Sequence, residues 1–168
     1  EIVLQRNPTN FQAYSVLIQS SDEPLDVLIE TVPKHCRTNS EVALALGFVA
    51  RRRGDSQTAR EWLQIAVDND ADNHPDIKGT LGETILHSYT GNPLSPVRIE
   101  QLDDGSRSDL QYVVELLGNA CDALRDDDAL RLRVTWLLNA AIACRLLGND
   151  DTADHYLSRA QQVAPDHP

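Results

Sequence analysis

Slid by 94 positions, the chain lands on itself: Arg51 on Arg145, Gly54 on Gly148, Ala59 on Ala153, Leu63 on Leu157 and Ala66 on Ala160. Alanine recurs where two helices must touch closely, and glycine recurs where the backbone must turn. That combination predicts helical hairpins stacked as a repeat, in which each unit buries its apolar face against its neighbours.

The spacing within one unit supports this. Ala43, Leu46, Gly47 and Ala50 fall on one stripe of a helix, as do Leu137, Ala140, Ala141 and Cys144. Ala59, Leu63 and Ala66 form a second stripe, repeated by Ala153, Leu157 and Ala160. The small members let two backbones approach, and the leucine between them fills the gap. Gly54 and Gly148 are placed to end the first helices in a positive-φ conformation. Asp55 or Ser56, and Asn149 or Asp150, are placed to cap the second helices.

This frame of small residues resembles the tetratricopeptide repeat (TPR), a helix–turn–helix unit of about 34 residues. Residues 40–73 and 134–167 match it in most detail, the latter with Pro165 where the family often has proline. The resemblance implies an all-α, right-handed α-solenoid of about four hairpins in one domain. A weaker unit falls at 6–39, where Pro33 is expected to shorten the second helix. The stretch 74–133 is expected to be an irregular unit. In it, helices at 75–90 and 107–124 flank a long loop at 91–106, bounded by glycines and prolines. Residues around 126–133 are expected to lengthen the next helix at its start.

Composition narrows the function classes. The net charge of −11 speaks against general nucleic-acid binding and against anionic membranes, since both need clustered Lys and Arg. No apolar run has the length of a transmembrane helix. Three widely spaced cysteines, Cys36, Cys121 and Cys144, fit buried free thiols in a reducing cytoplasm better than a disulfide framework. The chain has no methionine and opens Glu-Ile-Val-Leu, so a segment of a longer protein is expected, with cytoplasmic placement.

No catalytic, cofactor or metal site is expected. The alternating carboxylates from Asp68 to Asp76 suggest a calcium loop, but Asn73 and Gly79 stand where an EF-hand needs glycine and glutamate. A polar turn between units is the better reading. Asp151 and His155 share a helix face, which suits a surface hydrogen bond. Phosphate-loop, nucleophile-elbow and zinc-protease motifs are all missing.

The resemblance also implies where a ligand lies: in a concave groove lined by the first helix of each unit. The matching positions hold Asn10 and Tyr14, then Leu44, Phe48, Arg51 and Arg52, then Leu138, Ile142 and Arg145. An aromatic and aliphatic floor rimmed by arginines would seat a peptide or protein partner with an acidic or carboxylate anchor. Against this stands a structural reading, in which the arginines pair with nearby carboxylates and the aromatics fill gaps between units. The lysine–asparagine clamp of the chaperone-tail-binding members is missing, with Asn10 and Tyr14, or Leu44 and Phe48, in its places. The function expected is a protein-interaction scaffold. Its alternatives are a sensor arm of a larger NTPase or transcription regulator, and a module for homo-oligomeric self-association.

Overall fold

The computed structural model describes residues 10–70, 72–91, 102–124 and 129–164. Among the described residues there are eight α-helices and no strand. Contacts divide the chain into two compact units, which meet in sequence between Asn73 and His74.

The first unit contains α1 (Phe11–Ser20), α2 (Leu25–Thr31), a short 3₁₀ turn at Lys34–Cys36, α3 (Ser40–Arg52) and α4 (Ser56–Asp68). Asn10 starts α1, accepting the Ala13 N–H on its side chain at 2.9 Å. Helix α2 stops short because Pro33 follows it. The core of this unit gathers Tyr14, Ile18, Leu28, Val32, Cys36, Val42, Leu46 and Val49.

The turn from α3 to α4 is built as the repeat demands. Gly54 takes φ 81°, its N–H donates to Arg51 O at 3.0 Å, and the Asp55 N–H donates to Ala50 O at 3.1 Å. This pairing closes a helix through a left-handed residue, which glycine enters without steric cost. The second unit repeats it: Gly148 has φ 77°, with bonds from Gly148 to Arg145 O and from Asn149 to Cys144 O.

The second unit contains α5 (Pro75–Thr90), α6 (Asp104–Ala123), α7 (Leu130–Leu146) and α8 (Asp150–Val163). The helix expected over 75–90 spans those residues. The helix expected from 107 begins earlier, at Asp104, because Asp103 caps it by accepting the Ser106 N–H at 2.7 Å. Residues 104–106 of the expected loop are therefore helical; its residues 92–101 lie outside those described.

Close approach of helices is bought by missing side chains. A Cβ on Gly47 would sit 2.7 Å from Leu63 Cγ, and one on Gly82 would sit 2.9 Å from Leu117 Cγ. The same glycine-under-leucine contact thus joins α3 to α4 and α5 to α6. Ala59, Ala66, Ala153 and Ala160 are buried, as the repeat predicts. Ala59→Leu or Ala153→Leu is expected to lower stability by about 1–3 kcal/mol through overpacking. Unchanged melting temperatures for both variants would remove these alanines from the helix contacts.

Leu157 departs from its repeat partner. Leu63 is wholly buried above Gly47, whereas Leu157 is 39% exposed and has Ala141 in place of that glycine. The added methyl occupies the space that Leu63 uses, and α8 is the last described helix.

Thr58 donates to Asp55 from its hydroxyl and from its N–H, and these bonds hold the cap carboxyl below its ordinary value of 3.8. A carboxylate with a depressed folded pKa adds stability that is fully present above the unfolded value and lost as pH falls through the folded one. Asp55→Asn keeps a capping oxygen that does not titrate. The stability gap between wild type and this variant is expected to close as pH drops below 3.8. A gap that stayed constant into acid, in urea melts, would contradict the cap assignment.

Candidate functional site

Helix α3 buries Val42, Ala43, Ala45, Leu46, Val49 and Ala50, so its remaining face must carry whatever is left. That face presents Phe48, 38% exposed, with the exposed Arg51 and Arg52; Leu44 beside them is half-buried. Phe48, Val49, Arg51 and Arg52 line a recess of about 570 Å³, which Gln19 at the end of α1 helps to close. Arg52 Nη2 donates to Gln19 O at 3.2 Å, and Arg53 Nη2 donates to Glu23 O. Both acceptors are backbone carbonyls at or just beyond the end of α1. Arg52 thus satisfies an oxygen that the end of α1 leaves without a helical partner, and the arginines in the last turn of α3 complement the negative C-terminal end of that helix.

Of the residues expected on this surface, Tyr14 is elsewhere and Asn10 serves as a helix cap. Tyr14 is only 6% exposed and packs in the core of the first unit. Burial, with Cys36 nearby, pushes its phenol above the usual tyrosine value. Its ring fills a gap between helices, which is the structural reading of that aromatic. Asn10 spends its side-chain oxygen on the α1 cap. Tyr14 is therefore not a groove residue in the way the repeat pattern suggests.

In the second unit, α7 buries Val134, Trp136, Leu137, Ala140, Ala141, Ala143 and Cys144. Its outer face carries Leu138 and Ile142, 41% and 44% exposed. These are the repeat partners of Leu44 and Phe48. Arg145 ends the same face, but it reaches back across the hairpin. Its Nη1 lies 2.8 Å from Asp150 Oδ1 and its Nη2 lies 2.7 Å from Asp154 Oδ1. For this arginine, pairing with neighbouring carboxylates is the outcome. The structure therefore brings Phe48, Arg51 and Arg52 together on α3, and Leu138, Ile142 and Arg145 together on α7.

Sequence reasoning missed Gln19 and Val49. Val49 follows the core stripe of α3, and only its edge reaches the recess. Gln19 belongs to no repeat position, and its place depends on how α1 packs against α3.

No protein-family model and no curated protein sequence matches the chain. A solved structure does. The crystal structure of MamA protein superposes with a TM-score of 0.61, covering 96% of this chain and 76% of that one at 17% identity. MamA is a helical-repeat protein. The likeness shows the fold: an all-helical repeat of the α-solenoid class.

Cys36, Cys121 and Cys144 are buried and form no disulfide, and burial raises the thiol pKa of each, Cys121 to about 11. Such thiols are poor nucleophiles at neutral pH. Among the described residues no cluster of His, Cys, Asp and Glu could hold a metal ion, and no helix is long and apolar enough to cross a membrane.

Proposed function

We propose that this chain is a TPR-type interaction scaffold, in which the outward face of α3 in the first unit and that of α7 in the second each offer a docking surface for a peptide or protein. The observation that carries the reading is the exposure of Phe48, Leu138 and Ile142. Phe48 and Ile142 occupy matching places in the repeat, and Leu138 stands one turn before Ile142 on the same face of α7. Scattered exposed apolar residues need no explanation, but recurrence at one register does. The likeness of the fold to MamA supports a scaffold, because helical repeats offer extended surfaces of this kind.

Panning a random-peptide phage library on the chain tests this. Selected phage are expected to lose about tenfold or more in binding to a Phe48→Ser, Ile142→Ser variant, as for interface anchors. Both side chains are exposed, so helicity and melting temperature should hold. Selected phage that bind the variant undiminished would overturn the proposal.

A further inference from the structure

The exposed large apolar residues described in the second unit, Leu130, Leu138, Ile142 and Leu157, all belong to the hairpin of α7 and α8. The ion pairs of Arg145 show how three of them meet. Arg145 follows Ile142 by three residues, and Asp154 precedes Leu157 by three, so each pair shares a helix face. Arg145 Nη2 lies 2.7 Å from Asp154 Oδ1, which turns those two faces to the same side of the hairpin. The helices run antiparallel through the tight turn at Gly148. One turn further from Gly148, Leu157 therefore comes opposite Ile142, and Leu138 follows along α7. This apolar strip ends in acid. Arg145 holds only Oδ1 of Asp150 and Oδ1 of Asp154, whose side chains stay largely exposed. One guanidinium offsets one of those carboxylates, and the exposed Asp151 adds a third.

We infer that this strip takes a basic amphipathic helix of a partner protein, whose apolar stripe lies along Leu138, Ile142 and Leu157 while a lysine or arginine meets the carboxylates of Asp150 and Asp154. This rests on the scaffold reading above and adds the shape and charge of the partner at the α7 face. A helix suits the strip because Leu138 and Ile142 stand about 6 Å apart along α7, the spacing at which a second helix presents its own i and i+4 side chains. A cation suits its end because the charge there stays negative once Arg145 is counted. The chain as a whole, at net charge −11, draws cationic partners and repels acidic ones.

Two acetylated and amidated peptides of about 18 residues, long enough to form a helix, test this by calorimetry at low salt. Both carry the same leucine stripe at helical spacing; one sets two lysines at the end of the stripe and the other sets two glutamines there. The lysine peptide is expected to bind wild type at one site, about tenfold more tightly than the glutamine peptide. Asp150→Asn with Asp154→Asn should erase that preference and leave the glutamine peptide's affinity unchanged. Glu61→Gln with Asp68→Asn, an equal change of charge at exposed positions of α4, should keep the preference. Ile142→Ser with Leu157→Ser should weaken both peptides about tenfold. Circular dichroism on each variant checks that helicity is kept. Equal affinity of the two peptides for wild type, a preference that survives Asp150→Asn with Asp154→Asn, or one lost equally in the α4 variant would overturn the charge assignment and leave the scaffold reading standing. Undiminished binding to Ile142→Ser with Leu157→Ser, or binding of neither peptide, would overturn the α7 face as a docking surface in both readings.

Discussion

Trp136→Ala is expected to cost about 3–5 kcal/mol of folding stability, the range for deleting a large buried aromatic. Trp136 is 1% exposed and stands first among the fully buried side chains by volume. Its indole lies against Gly79 of α5, where an added Cβ would fall 2.1 Å from the ring. Its Nε1 donates to Glu83 Oε1 at 3.1 Å, so the one polar atom of the side chain is satisfied. Truncation would leave both a cavity and a carboxylate without that donor. The reverse fault is also expected. Gly79→Ala should destabilise by about 1–3 kcal/mol or more, because the methyl has no room beside the ring. Combining the two changes should cost clearly less than their sum, since the cavity made by one receives the methyl of the other. Additive losses in urea melts would mean that Trp136 does not rest on Gly79.

Leu63→Ala and Leu157→Ala, identical changes at matching repeat positions, should differ several-fold in cost. Leu63 is wholly buried over Gly47, so its truncation is expected to cost about 2–5 kcal/mol. Leu157 is 39% exposed, and its truncation removes less buried surface and leaves no closed cavity, so about 1 kcal/mol is expected. Equal costs would show that the two hairpins pack alike and that Ala141 does not displace Leu157.

Most of the fold was legible in the sequence because hairpin repeats are written in local signals. The left-handed glycines at 54 and 148, the cap at Asp55 and the buried alanines follow from spacing and backbone chemistry alone. The early start of α6 was missed because Gly105 and Ser106 read as loop, while the Asp103 cap outweighs their weak helix propensity. The candidate surface was only partly legible. A repeat register says which residues turn away from the partner helix, and it placed Phe48, Leu138 and Ile142 correctly on exposed faces. It does not say what else packs there. Tyr14 went to the core because α1 lies against α3, and Asn10 was taken by its own helix end. Arg145 met two aspartates of the following helix, a pairing visible in sequence only once the hairpin geometry is known.

Site-specific photo-crosslinking inside cells bears most directly on whether the α3 and α7 faces hold a partner. A benzophenone amino acid replaces Phe48 or Ile142 in one pair of variants, and replaces Gln57 or Gln161, exposed on the second helices α4 and α8, in a control pair. A scaffold that works through α3 and α7 gives crosslinked protein from positions 48 and 142, and none from the control pair. Crosslinks confined to positions 57 and 161, or none from any position, would contradict it.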